Sequence, residues 1–209
     1  MRILIADDHA VVRHGLKQIL ADEFKRAVFG EARNAQEALN RVWKGAWDVM
    51  ILDITMPGRS GLEILGEIRR SAPGLPVLIL SMHPENQFAV RVLKSGAAGY
   101  LTKDSAPEEL VGAVRKILGG GRYVSAALAE KLASYVAGNS HKPPQESLSD
   151  REFQVLRLIA SGKIVSEIAA ELSLSVKTIS TYRSRILEKM GLRNNAELMR
   201  YAIQHQLVE

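Results

Sequence analysis

Five polar side chains stand directly after short apolar runs in the first half of the sequence. Asp7 and Asp8 follow the first run, Asp53 the third, Ser81 the fourth and Lys103 the fifth. Carboxylates brought close together repel one another, so such a cluster takes up a proton or holds a cation. A hard divalent ion such as Mg2+ prefers oxygen ligands. A remaining carboxylate could then attack a phosphorus atom, while the lysine and the hydroxyl contact phosphoryl oxygens.

Each of these residues also has an ordinary structural explanation when it is taken alone. Two adjacent aspartates can cap a helix, a lysine is usually solvated, and a serine is common in turns. Their shared position favours the chemical explanation, because functional groups of open α/β sheets gather at the carboxyl ends of the strands. The sequence therefore predicts that all five residues converge on one small site.

The elements that must position these residues alternate along the first 118 residues. Strands are expected at 2–6, 27–32, 48–52, 77–80 and 98–101, and helices at 10–22, 35–44, 61–71, 85–95 and 107–118. The third and fourth strand segments are nearly continuous apolar runs, as expected for parallel strands covered on both faces. Alternating strands and helices with short connections predict an α/β domain with a doubly wound, parallel, five-stranded sheet.

Several local signals mark where helices begin and end. A short polar residue followed three positions later by Glu is the spacing of a capping box, and it occurs at Asn34, Ser60, Ser105 and Ser149. Three consecutive glycines, 119–121, are predicted to end the fifth helix. They are not interpreted as a phosphate-binding loop, because they lack its Gly-Lys-Ser/Thr ending. We divide the chain into a domain over 1–118, a linker over 119–146 with a helix at 126–137, and an all-helical domain over 147–209.

Residues 1–118 resemble the receiver domain of response regulators over their whole length. The acidic pair, the segment Leu52-Asp53-Ile54-Thr55-Met56-Pro57-Gly58, Ser81 and Lys103 all stand where receivers place their site. The resemblance implies a flavodoxin-like fold with strand order 2-1-3-4-5. It makes Asp53 the phosphoacceptor and implies Mg2+ bound directly by Asp8, by Asp53 and by the backbone carbonyl of Thr55. Asp7 is implied to act mostly through a metal-bound water.

The resemblance also implies a switching role for Ser81 and Tyr100. In receivers the hydroxyl moves toward the phosphoryl group and the aromatic ring swings inward behind it; without the resemblance, Tyr100 would be interpreted as a half-buried strand aromatic. His83 and Thr55 are implied to flank the attacking water. The five histidines, at positions 9, 14, 83, 141 and 205, show no paired metal-ligand spacing. Surface or packing roles are therefore expected for them in place of metal binding.

The last 63 residues follow a purely helical pattern, with helices expected at 149–161, 166–172, 176–190 and 195–206. The short turn before residue 176 predicts a helix-turn-helix, whose later helix enters the major groove of DNA. At 100° per residue, Val176, Ile179, Ile186 and Met190 face the core. The opposite face and its flanks supply the expected DNA contacts: Lys177, Thr178, Ser180, Thr181, Tyr182, Ser184, Arg185 and Lys189. Taken alone, this helix could equally be a solvated amphipathic helix.

The complete segment resembles the LuxR-type DNA-binding domain. The resemblance rests on the sequence runs at 148–152, 155–162, 167–169, 174–179 and 189–191. Ile164 and Val165 replace the usual Ser-Asn, so the helix that begins there must be capped differently. A receiver followed by this domain resembles the NarL/FixJ class of two-component response regulators. That class implies a sensor histidine kinase as partner, and a homodimer that binds double-stranded promoter DNA to regulate transcription.

Composition limits the other possibilities. The chain has 209 residues, no cysteine and a net charge of +5, so disulfides and thiolate metal sites are excluded, and basicity alone does not indicate nucleic acid. No apolar run reaches the length of about 18 residues that a membrane span needs, so a cytoplasmic protein without membrane contact is expected. An aspartyl-phosphate phosphatase would need a second acid where Thr55 stands, and a phosphorylation-independent transcription factor would not need the intact acid set. The expected protein is therefore not an enzyme.

Overall fold

Strands and helices alternate through the first part of the chain as the apolar pattern predicted. The computed structural model describes residues 1–56, 59–136, 144–205 and 207–208. The strands are β1 (Arg2–Ala6), β2 (Val28–Ala32), β3 (Val49–Asp53), β4 (Val77–Ser81) and β5 (Gly99–Thr102). The helices of this part are α1 (Ala10–Glu23), α2 (Ala35–Lys44), α3 (Gly61–Ser71), α4 (Glu85–Lys94), α5 (Ala106–Leu118) and α6 (Ala126–Val136).

The five strands form one parallel sheet in the order β2-β1-β3-β4-β5, which confirms the predicted flavodoxin-like fold. Alternate residues of the central strands point to opposite faces. Ile51 and Leu78 join the apolar core shared with α1 and α5, while their neighbours Met50 and Ile79 are equally buried on the other face. Every residue of β3 and β4 is buried. Because both faces are covered, only the strand ends are left for polar chemistry.

Capping boxes begin two helices as predicted. At Ser60 and at Ser149 the serine hydroxyl accepts from the backbone amide three residues on, and the glutamate there accepts from the serine amide. Asn34 forms only the first of these two bonds, because the Glu37 carboxylate accepts instead from the amide of Arg33.

The capping box predicted at Ser105 is wrong. Ser105 has helical backbone angles (φ −83°, ψ −12°) and makes no side-chain cap. Its hydroxyl is engaged with Thr102, whose Oγ1 lies 3.0 Å away, so it is not available to the first turn of α5. The helix therefore begins without the side-chain cap that the spacing suggested.

The chain divides into two compact units, Met1–Ala137 and Gly138–Glu209. In the first unit α6 packs against α4, and the segment before α6 lies along the edge strand, where the amide of Tyr123 donates to the carbonyl of Ala98 at 2.9 Å. Residues 137–143 of the predicted linker lie outside the described residues. None of the helices in the described part of the chain combines the length and apolar character that a membrane crossing requires.

The second unit is all-helical, as predicted. A 3-10 helix (Pro144–Ser147) precedes α7 (Asp150–Ala160), α8 (Val165–Glu171), α9 (Val176–Met190) and α10 (Asn195–Gln204). Helix α9 packs against α7 and α8, and α10 packs against α7. Three of the four predicted core residues of α9 are buried, but Val176 is 53% exposed. It occupies the first position of α9, one turn before the first buried residue of that helix.

Candidate functional site

Carboxylates from two strand ends meet at one edge of the sheet. Asp7 follows β1, Asp53 ends β3, and each is only 1% exposed. One donor atom from each of Asp7, Asp8, His9 and Asp53 lies within 4.8 Å of the other three. We call these four residues the acid pocket. The convergence of the three aspartates is the arrangement predicted from their places after the strands.

Lys103 brings the positive charge of this site. Its Nζ donates to Asp53 Oδ2 at 2.8 Å and lies 2.7 Å from Asp7 Oδ2, and its side chain is 9% exposed. The Asp7 contact is an ion pair without hydrogen-bond geometry. One ammonium thus lies between two buried carboxylates that belong to different strands.

Burial and ion pairing have opposing effects on the pKa values of Asp53 and Lys103. It raises the pKa of Asp53 to about 6, against the opposing effects of the Lys103 ammonium and the Thr55 amide; the nearby charge of Asp7 contributes least. Burial alone would lower the pKa of Lys103, but its contacts with Asp53 and Asp7 outweigh burial and raise it. Lys103 therefore stays charged, while the pKa of Asp53 is raised toward neutral pH.

Backbone amides orient both buried carboxylates. The amide of His9 donates to Asp7 Oδ1 at 2.8 Å, and the amide of Thr55 donates to Asp53 Oδ1 at 3.0 Å. In each case the donor lies two residues after the acid, in the loop that leaves the strand. The second oxygen of each carboxylate is the one that meets Lys103.

A buried arginine that the sequence analysis missed supports the same loop. Arg13 of α1 is 6% exposed, and its Nη1 donates to the backbone carbonyl of Asp7 at 2.7 Å. Its Nε lies 3.5 Å from Glu31 Oε2 on β2. The available signal was a charged residue within the apolar spacing of α1, since a guanidinium rarely enters a core without partners.

The two predicted switch residues are fully buried and share one partner. The Ser81 hydroxyl accepts from the amide of His83 at 3.1 Å, and the Tyr100 hydroxyl donates to the carbonyl of His83 at 2.7 Å. The imidazole of His83 stacks on Phe88 of α4, with ring centroids 4.9 Å apart. Ser81 also lies beside the pocket, because its carbonyl accepts from the amide of Lys103 at 2.7 Å. The sequence did not show that one residue joins the two hydroxyls.

A second polar surface lies on α9. Of the eight predicted DNA-contacting residues, Thr178 and Tyr182 are partly buried and the others are exposed: Lys177, Ser180, Thr181, Ser184, Arg185 and Lys189. Ser175 caps the helix by accepting from the amide of Thr178 at 3.0 Å. The face thus presents cations and hydroxyls to solvent, which suits contact with phosphates and base edges.

Two cationic residues of α9 are instead engaged within their own unit. Lys189 Nζ donates to Glu152 Oε2 at 2.6 Å, and Glu152 is 3% exposed. Arg183 Nε donates to Asn195 Oδ1 of α10 at 2.6 Å. Arg185 and Lys177 are exposed cations on the same face.

Comparisons with known families match both parts of the chain. Residues 3–115 match the response regulator receiver domain, and residues 146–202 match the bacterial regulatory proteins of the luxR family. The response regulator UvrY of Escherichia coli strain K12 is 38% identical over 208 residues, which cover 99% of this chain and 95% of the relative. The response regulator GacA of Pseudomonas aeruginosa is 37% identical over 210 residues, which cover 100% and 98%.

Solved structures show the same similarity. A structure of the RcsB response regulator of Salmonella typhimurium has a TM-score of 0.73 at 30% identity and covers 98% of each chain. A structure of an RcsB–DNA complex has a TM-score of 0.60 at 29% identity and covers 96% of each chain. The likeness therefore extends over both units of the chain.

Proposed function

Because this chain belongs to the response regulators, DNA-binding regulators of transcription that join a receiver domain to a LuxR-family domain, we propose that phosphorylation of Asp53 controls it. One observation carries the proposal: a nearly inaccessible Asp53 is paired with Lys103 beside a second buried aspartate, Asp7. We divide the protein into a receiver over 1–118, a linker over 119–146 and a DNA-binding domain over 147–209, and we expect it in the cytoplasm.

The phosphoryl donor is a phosphohistidine on a sensor histidine kinase. An oxygen of the Asp53 carboxylate attacks the phosphorus, the phosphorus–nitrogen bond breaks, and the histidine nitrogen keeps the bonding electrons. Lys103 then pairs with a phosphoryl oxygen in place of one carboxylate contact, because its ammonium already faces the attacking side chain. Amide donation from Thr55 to the other oxygen holds the carboxylate in a fixed orientation.

Receiver domains bind Mg2+ at their acidic pocket, and the described residues include such a cluster. The donor set fits: oxygen ligands from three aspartates suit a hard divalent ion, and the single ammonium of Lys103 does not offset the charge of all three carboxylates. We propose that Asp8, Asp53 and the carbonyl of Thr55 would hold Mg2+ directly, with Asp7 acting through water. When bound, Mg2+ supplies positive charge that offsets the charge of the transferring phosphoryl group.

Ser81 and Tyr100 transmit the effect of Asp53 phosphorylation to the rest of the domain. A phosphoryl oxygen on Asp53 is a stronger acceptor than the Ser81 hydroxyl normally meets, so that hydroxyl turns from the His83 amide to donate to it. The backbone of His83 then loses its bond to the Ser81 hydroxyl. Its carbonyl keeps the bond from the Tyr100 hydroxyl, and the geometry of that bond can change. Because His83 stacks on Phe88, the change reaches α4.

The output is sequence-specific binding of double-stranded promoter DNA by α9. In this proposal Lys177 and Arg185 contact phosphates or base edges, and hydroxyls of the same face complete the interface: Thr178, Ser180, Thr181, Tyr182 and Ser184. Lys189 is the remaining contact predicted from the sequence, and its ion pair with Glu152 must open or be shared with a phosphate. A solved structure of two RcsB dimers bound to two parallel DNAs supports a homodimer of this chain on paired half-sites.

Phosphotransfer tests the proposal directly. Wild-type chain, Asp53→Asn and the control Asp22→Asn are incubated with a radiolabelled, autophosphorylated histidine kinase and, separately, with a small labelled acyl phosphate. Asp22 is a suitable control because its side chain is 88% exposed and lies outside the acid pocket. We expect Mg2+-dependent label on the wild type and on Asp22→Asn and none on Asp53→Asn. Equal labelling of all three proteins would contradict the proposal.

A further inference from the structure

His9 brings a nitrogen into the acid pocket although no paired histidine spacing marked it. The residue follows Asp8 and is the N-cap of α1, but its side chain makes no capping bond. Its Nδ1 lies 3.0 Å from Asp8 Oδ1 and 3.3 Å from Asp7 Oδ1. Among the described residues Asp8 Oδ1 is buried without a hydrogen-bond partner, so the approach of His9 is not a hydrogen bond. Helix capping and hydrogen bonding therefore do not account for the position of the ring.

The spacing is that of neighbouring ligands around one ion. In an octahedral site with metal–ligand distances of about 2.1 Å, adjacent donors are about 3 Å apart and opposite donors about 4.2 Å apart. The His9–Asp8 and His9–Asp7 distances match the adjacent spacing, and all four donor atoms of the pocket lie within 4.8 Å of one another. The His9 side chain is 64% exposed, so a small rotation can close the remaining difference.

We propose that His9 adds a nitrogen ligand to the acid pocket and makes it a site for borderline divalent ions such as Co2+, Ni2+ and Zn2+. Carboxylates and carbonyls suit Mg2+ and Mn2+, whereas imidazole suits the later transition metals. His9 therefore determines metal specificity. The inference rests on the proposed cation site at the same residues, and it assigns to His9 a function that Mg2+ binding alone does not need.

The test separates the contribution of His9 from the general preference of any nitrogen–oxygen site for later transition metals. Full-length wild type, His9→Ala and His14→Ala, all without a polyhistidine tag and freed of metal with a chelator, are titrated with Mg2+, Co2+ and Ni2+ by calorimetry. The visible absorption of bound Co2+ is recorded in parallel, because an imidazole ligand shifts its bands. His14 is a matched control, since it is an exposed histidine of α1 outside the pocket.

His9→Ala should leave the fold of the loop intact, because the bond to Asp7 Oδ1 comes from the backbone amide. We expect its affinity for Co2+ and Ni2+ to fall by about tenfold or more, since even an outer-shell partner of a metal ligand contributes that much. Mg2+ affinity should change by less than about threefold, because Mg2+ favours oxygen ligands. His14→Ala should match the wild type in all titrations and in the Co2+ spectrum.

Two results would overturn the inference while leaving phosphorylation of Asp53 untouched. One is an unchanged Co2+ spectrum with unchanged Co2+ and Ni2+ affinity in His9→Ala. The other is an equal loss of affinity for all three ions, which would mean that the substitution disturbs the whole pocket. If instead the wild type binds Co2+ through His9 but does not bind Mg2+, the proposed Mg2+ site fails and the metal specificity of His9 stands.

Discussion

The acid pocket and the exposed face of α9 hold charge in opposite ways. In the pocket, Asp7 and Asp53 are each 1% exposed and share one partly buried ammonium, that of Lys103. On α9 the cations of Lys177 and Arg185 are exposed to solvent. Burial disfavours the ionised form of a carboxylate, as the raised pKa of Asp53 shows, whereas a solvated cation keeps its hydration.

The difference follows from what each site must do. A buried cluster of like charges holds free energy that a bound cation or a modification can release, and it can therefore couple chemistry to conformation. A DNA-binding face gains affinity by releasing counterions from the phosphates, which requires cations that are free to meet them. We therefore expect substitutions in the pocket to change stability and substitutions on the face to change affinity alone.

The largest effect on stability is expected from Asp53→Asn. At neutral pH the wild type keeps a buried carboxylate ionised although its pKa is raised from 3.8 to about 6, which corresponds to about 3 kcal/mol of destabilisation. Replacing it by a neutral amide should stabilise the first unit by up to about this amount. Urea denaturation in the presence of a chelator measures it. Tryptophan emission reports this unit alone, because both tryptophans, Trp43 and Trp47, lie in it.

The pH dependence of the stability difference between Asp53→Asn and the wild type tests whether burial of the carboxylate is its cause. Above the folded pKa of about 6 both folded and unfolded wild type are ionised at Asp53, so the penalty is fully present. As the pH falls from about 6 to 3.8 the folded state takes up a proton before the unfolded state, and the advantage of Asp53→Asn should shrink toward zero. Asp22→Asn should show no such trend. A variant less stable than the wild type at pH 8 would show that the Lys103 contact outweighs burial.

On α9 we expect Arg185→Ala to weaken specific DNA binding by about 2 kcal/mol, some thirtyfold, with stability changed by less than about 0.5 kcal/mol. The operator comes from selection against a random DNA pool, and affinity is measured by anisotropy at several salt concentrations. Glu188→Ala on the same helix is the control, because removing an exposed acid should leave affinity unchanged or raise it. Equal loss of affinity in both variants would mean that DNA affinity depends on the integrity of α9 and not on the Arg185 guanidinium.

Lys189 is where the comparison should break down, because this α9 cation is tied to a buried acid. Lys189→Ala removes the ammonium that donates to Glu152, which is 3% exposed, and leaves its carboxylate with donors from Ser149 among the described residues. It should destabilise the second unit by about 1.5 kcal/mol. Protection of α7 and α9 amides in hydrogen exchange measures this. Lys177→Ala, on the same helix, should leave protection unchanged, because no buried acid among the described residues pairs with Lys177.

The same pair gives a second pH dependence with the opposite sign. Burial raises the pKa of Glu152, but the bonds from Lys189 and Ser149 outweigh it, so that the pKa lies below its ordinary value. A lowered folded pKa contributes stability above the unfolded value of 4.5 that is lost as the pH falls. The deficit of Lys189→Ala should therefore disappear in acid. A deficit that persists there would assign the effect to packing of the lysine stem.

Most of the fold could be predicted because it depends on patterns that the chain repeats. Apolar runs and amphipathic spacing placed every strand within about one residue, and parallel order brings the residues after β1, β3 and β5 to the same edge. The convergence of Asp7, Asp53 and Lys103 follows from that topology alone. The chemical roles of these residues and of the α9 face stay predictions until phosphotransfer and DNA binding are measured.

The details that escaped prediction depend on where side chains turn within loops. Spacing alone could not show that the Ser105 hydroxyl has a closer partner in Thr102, nor that His83 bonds both switch hydroxyls. Spacing between histidines gives no signal at His9, because its neighbours in the pocket are carboxylates next to it in the chain and across the sheet. Periodicity describes which face a residue occupies and contains no information on these contacts.

The smallest expected effect concerns the turn that connects α8 to α9. Ser173 has a φ of +53°, a left-handed conformation that is strained for any residue with a Cβ, whereas glycine adopts it freely. Ser173→Gly should therefore stabilise the second unit by about 0.5 to 1 kcal/mol even though the unfolded chain becomes more flexible. The same change inside α8, Ser166→Gly, should destabilise by a similar amount, because glycine is a poor helix former. Hydrogen exchange of amides in α8 and α9 measures both changes in stability. Destabilisation by both variants would mean that side-chain contacts of Ser173, and not backbone strain, determine the stability of the turn before α9.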